Sequence, residues 1–99
     1  MQDTLMSIQV IPKTPNGEDV IPYVDEAIAI IEQSGLEFRV NPLETTVQGT
    51  MSECLILIQN INDRMVELKV PSIISQVKFY HVPTGITMDD LTAKYLSLI

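Results

Sequence analysis

The chain has 99 residues, of which 45% are hydrophobic and 19% charged, a balance that predicts a single folded domain over residues 1–99 and excludes intrinsic disorder. Thirteen Asp and Glu against six Lys and Arg leave a net charge of −7, the wrong sign for the phosphate backbone of nucleic acid or an anionic membrane, so neither is an expected partner. No apolar run approaches the ~20 residues of a membrane span, the opening MQDTLMSIQV lacks the regions of a signal peptide, and one cysteine with one histidine cannot complete a tetrahedral zinc site; a cytoplasmic protein without structural metal is expected.

Leu5 to Ile11 alternates, with Met6, Ile8 and Val10 on one side and Ser7 and Gln9 on the other, and predicts a half-buried strand ending at Pro12. The stretch KTPNGED is a loop, and Asp19 suits the N-cap of a following helix, with Pro22 tolerated in its first turn. Val20, Val24, Ala27, Ile28 and Ile31 recur at helical spacing, and Gly35 supplies the left-handed residue that ends the helix. Six acids, Glu18, Asp19, Asp25, Glu26, Glu32 and Glu37, fall here before Arg39; they read as a solvated helix face, with attraction of a cation as the alternative.

Leu36, Phe38 and Val40 predict a second strand, Asn41 and Pro42 a turn, and the β-branched run Thr45 to Thr50 a third strand. Ser52 is placed as the cap of a second helix whose apolar stripe is Cys54, Leu57, Ile58, Ile61, Met65 and Leu68, which makes Cys54 a core residue. Gln76 to Val82 alternates again, and Thr87 with Asp90 has the spacing of a capping box opening a short last helix, with Met88, Leu91, Tyr95 and Leu98 on one face.

The order β-α-β-β-α-β predicts an α+β, ferredoxin-like antiparallel sheet with both helices on one face, plus a short C-terminal helix. Met6, Ile8, Val10, Phe38, Val77 and Phe79 are then expected under the helices, and Leu5, Gln9, Ile11, Glu37, Arg39, Lys78 and Tyr80 on the open face. Whether Thr45 and Val47 or Thr46 and Gln48 join that open face depends on register, because a slip of one residue reverses every side chain. A sheet face that mixes Leu5, Ile11 and Tyr80 with charges predicts a homo-oligomer.

Catalytic chemistry has little to build on. His81 has no acid at fixed spacing, Cys54 lies on an apolar stripe, the loop PKTPNGED has one glycine and no arginine with which to cradle a phosphate, and the glycine-rich dinucleotide motifs are absent. Base-stacking aromatics are missing from the third strand, where Thr46, Val47 and Gln48 stand. A small binding module is what remains, and an enzyme is not expected.

Ile8-Gln9-Val10-Ile11-Pro12, Tyr23-Val24, Ser34-Gly35-Leu36, Pro42-Leu43-Glu44-Thr45-Thr46-Val47-Gln48-Gly49 and Gln76-Val77-Lys78-Phe79 follow one another in an order and spacing that resembles the YkoF-like thiamine-binding family. The resemblance covers most of the chain and implies a ferredoxin-like fold, dimers or tetramers of the chain itself, and binding of thiamine or its hydroxymethylpyrimidine moiety without catalysis or cofactor. It implies Gln9, Thr45, Gln48, Lys78 and Tyr80 as ligand-binding residues. Each has a plainer reading: a solvated strand residue for Gln9 and Gln48, β-propensity for Thr45, and interface packing for Lys78 and Tyr80. The chain departs from the family pattern at Glu44, Gln48 and Tyr80, where the family carries Gly, Glu and Asp. The principal alternative is a structural or regulatory oligomerisation module with no small-molecule ligand.

Overall fold

The computed structural model describes residues 2–98. Its elements are β1 (Thr4–Lys13), α1 (Ile21–Gln33), β2 (Glu37–Val40), β3 (Thr45–Gly49), α2 (Met51–Glu67), β4 (Ser72–His81) and α3 (Met88–Thr92), the last running into a 3₁₀ segment, Ala93–Leu98. The strands form one antiparallel sheet in the order β2-β3-β1-β4, which is the ferredoxin-like arrangement. No helix among the described residues is long and apolar enough to cross a membrane.

Two strands are longer than their alternation indicated. β1 continues through Pro12, because beyond Ile8 it is paired only with β4 and one of its sides has no ladder for the proline to interrupt. β4 begins at Ser72 rather than Gln76, since Ile73 and Ile74 extend the pairing to Pro12 and Ile11. The helix starts also differ. α2 is capped by Thr50, not Ser52: the Thr50 hydroxyl accepts from the Glu53 N–H and the Glu53 carboxylate accepts from the Thr50 N–H. At α1 the N-cap position is Val20, and Asp19 acts from one residue further out, its carboxylate accepting the Ile21 N–H at 3.1 Å. Gly35 ends α1 with φ +76°, the left-handed conformation expected of it.

The core lies between the helices and one sheet face. Met6, Ile8 and Val47 from the strands meet Ala27 and Ile31 from α1 and Cys54, Leu57, Ile61 and Met65 from α2. Phe79 shares the Met6 side of the sheet yet remains 38% exposed, because β4 is an edge strand. A second, smaller cluster forms on the opposite face, where Leu5 packs with Ile86, Met88 and Val82. The chain after β4 therefore folds back over the sheet. α3 opens with the anticipated Thr87 and Asp90 capping box. Only Met88 of its expected apolar face is buried, however: Leu91 and Tyr95 are exposed, the helix tightens after Thr92, and the Leu98 side chain lies outside the described residues.

Candidate functional site

The register arranges the open face as rows of side chains crossing the sheet, with neighbouring strands about 4.8 Å apart. One row runs Tyr80, Leu5, Gln48, Glu37; the next Lys78, Ser7, Thr46, Arg39; then Gln76 beside Gln9, and Ile74 beside Ile11. Thr46 and Gln48, not Thr45 and Val47, join this face.

The returning tail covers the middle of the first row, Leu5 and Gln48, and leaves its ends, Tyr80 and Glu37, exposed. Leu5 is 6% and Gln48 8% exposed. The Gln48 carbonyl oxygen accepts the Met88 N–H at 2.7 Å, one of the donors that the first turn of α3 cannot satisfy within itself, and its amide donates to the Gln2 side-chain oxygen at 2.6 Å. Arg39 fastens the same helix from β2, donating to the Thr92 hydroxyl at 3.0 Å and to the Asp89 carboxylate at 2.5 Å. Backbone bonds from Val82 to Asp3 and from Ile86 to Gln2 tie the tail to the start of the chain.

Side chains of the next two rows form the floor of an open cleft of about 910 Å³. Ser7, Gln9, Thr46, Gln76 and Lys78 line it from the strands, with Tyr80 at one end; Leu43, Glu44 and Leu91 stand around it. Glu44 comes from the turn before β3 and is half-buried, its carboxylate accepting from the Asn41 amide at 3.3 Å. The cleft thus combines amides and hydroxyls below, leucines at the sides, one carboxylate and one ammonium. Lys78 makes no ion pair with the described residues.

Of the residues singled out in the sequence, Gln9, Lys78 and Tyr80 line this cleft together. Gln48 shares their face, but both ends of its amide are engaged by the chain itself. Thr45 is not brought to them: it pairs with Ile8 on the helix-covered side and is 6% exposed, because adjacent strand residues point to opposite faces. Ser7, Thr46, Gln76, Glu44, Leu43 and Leu91 were missed as cleft residues. The shared parity of Thr46 with Gln48 was the available signal for one of them; nothing local marked Leu91, which arrives with the tail.

The remaining reactive groups lie elsewhere. Cys54 is fully buried in α2, and its burial, with the nearby charges of Glu53 and Asp3, pushes the thiol from 9.0 up to about 11. His81 sits at the end of β4 on the helix side, its Nδ1 3.0 Å from the Thr4 hydroxyl, which itself donates to Asp3. No group of three or more His, Cys, Asp or Glu among the described residues is placed to hold a metal ion.

Comparison with known proteins adds to this geometry. Residues 6–96 match the family model described as thiamine-binding protein. A UPF0045 protein of Clostridium perfringens is 31% identical over 90 residues, 91% of this chain and 94% of that protein. Among solved structures, the DUF77 domain of unknown function from Bacillus cereus superposes with a TM-score of 0.87 at 32% identity, covering 95% of this chain and 90% of that one. A Thermotoga maritima protein provisionally assigned to thiamine biosynthesis or salvage gives a TM-score of 0.84 at 26% identity, covering 94% and 98%.

Proposed function

This chain belongs to the thiamine-binding protein family, and from that membership we propose that it binds thiamine, or the hydroxymethylpyrimidine half of it, in the open-face cleft, as a carrier, buffer or sensor that performs no chemistry on its ligand. The observation that carries the reading is the Gln9 and Gln76 pair lying side by side on the cleft floor. Each amide offers a carbonyl acceptor and two N–H donors, the complement of an aminopyrimidine edge that both donates and accepts. Leu43 and Leu91 give the ring apolar walls, and Glu44 gives a thiazolium cation a counter-charge. The Thermotoga maritima relative's assignment supports the same ligand class.

The reading includes a cytoplasmic protein that assembles with itself, as a dimer or a dimer of dimers, with no nucleic-acid or membrane partner. Ile74, 60% exposed, and Ile11 form an apolar row beyond the cleft, and a standard interface would remove about 800 Å² per partner from water. The same row favours the second reading, a module that only oligomerises.

Calorimetric titration with thiamine and with its pyrimidine alcohol separates the two. Binding is expected for both, and Gln9→Ala is expected to weaken each by roughly two- to tenfold, the range of one neutral hydrogen bond at ~0.5–1.5 kcal/mol. Binding of neither ligand overturns the proposal in favour of the oligomerisation module.

A further inference from the structure

Lys78, Ser7, Thr46 and Arg39 come from four different strands, and the register sets them in one straight row: Lys78 opposite Ser7, Ser7 opposite Thr46, Thr46 opposite Arg39. Two hydroxyl residues on neighbouring strands, which run about 4.8 Å apart, therefore stand between two cationic residues, in a chain that has only six Lys and Arg and a net charge of −7. The Arg39 end is already taken, its guanidinium held by Asp89 and Thr92. The Lys78 end is not. Lys78 lines the cleft with Ser7 and Thr46, and its ammonium makes no ion pair with the described residues.

We propose that this row is the seat of a phosphoryl group, and that the cleft takes a phosphate monoester of its heterocyclic ligand in preference to the free alcohol. Serine and threonine hydroxyls donate to phosphate oxygens, and a lysine ammonium binds phosphate as a point charge. Of the carboxylates on this face, Asp89 is paired with Arg39, Glu37 stands exposed at the end of the neighbouring row beside Gln48, and Glu44 comes two residues before Thr46, in the direction of the Gln9 and Gln76 row. Glu44 and Lys78 thereby give the cleft an acidic and a basic part, which fits a ligand with a cationic ring and an anionic ester. The net charge repels anions at long range, so preference must come from these short contacts and not from steering. The identity of the heterocycle rests on the proposed function; the anion seat does not.

The full-length protein is titrated calorimetrically with thiamine, with thiamine monophosphate and with inorganic phosphate, each against the unmodified chain, Lys78→Met and Ser7→Ala. The monophosphate is expected to bind at least about tenfold more tightly than thiamine, the factor that ~1.4 kcal/mol represents. Lys78→Met should bring that ratio to about one, and Ser7→Ala should lower it; because the readout is a ratio within one variant, a general loss of affinity does not mimic it. Equal affinity for the two thiamine forms, or a preference that survives Lys78→Met, overturns the row while leaving thiamine binding intact. Binding of the monophosphate and of inorganic phosphate alike, lost in Lys78→Met and without any binding of thiamine, upholds the anion seat and overturns the heterocycle instead.

Discussion

The two faces of this sheet are cut from the same strands, one residue apart, and are held by different physics. On the helix-covered face Met6, Ile8 and Val47 are packed under two helices, and stability comes from apolar area and close contact, which tolerate small shifts of direction. On the open face the tail forms only a small apolar cluster with Leu5, through Ile86 and Met88, and is otherwise held by individual directed bonds, those of Gln48 and Arg39 and the backbone bonds of Val82 and Ile86. The first face makes the fold. The second shapes a cleft, because a thin, polar attachment covers one end of the sheet and leaves the rows beyond it open.

The contrast can be tested by damaging each face. Leu57→Ala removes a fully enclosed side chain of α2 and is expected to destabilise the protein by about 2–5 kcal/mol, since the lost transfer energy is joined by a cavity; denaturant unfolding would read it. A loss below about 1 kcal/mol would mean that the helix-covered face is not close-packed, contrary to the ordinary behaviour of such cores.

Gln48→Leu should cost less, about 1–3 kcal/mol, because it strands the Met88 N–H and removes the donor to the Gln2 side-chain oxygen without opening a large void. Its signature is local: amide exchange should accelerate at the α3 residues more than in α2. Equal acceleration throughout would show that the tail is part of the main cooperative unit and that the two faces do not differ as described.

Arg39→Met is the smallest of the three. The Arg39 and Asp89 side chains are 41% and 71% exposed, so their pair lies in the range of ~0–1 kcal/mol that solvent screening leaves to surface ion pairs. The expected outcome is a slight loss of stability that shrinks further as salt is added, with α3 still docked by Gln48. A loss as large as that of Gln48→Leu would assign the tail's attachment to charge instead of to the amide.

Much of the fold was legible in advance because its signals are local. The Cys54, Leu57, Ile61, Met65 stripe needs only a 3.6-residue period, and the Thr87 and Asp90 capping box only three residues of chain. The α2 cap was misplaced by two residues since both Thr50 and Ser52 are competent caps, and what separates them is whether Gly49 is still in β3, where its pairing with Thr4 keeps it. Family resemblance carried the ligand class and selected Thr45, but it could not say on which face Thr45 would lie.

Composition and periodicity by themselves determined the element order, the helical core stripes, the acidic charge and the poverty of catalytic groups. Tertiary structure alone decided that Thr46 rather than Thr45 meets the cleft, that Lys78, Ser7 and Thr46 share a row, and that Gln48 fastens α3. The reason is the range of the forces involved. A side chain's direction along its own strand repeats every two residues and is written in the local pattern. Which strand it faces, and in what register, is settled only when residues some forty to seventy positions apart pair through backbone hydrogen bonds that every sequence can make alike.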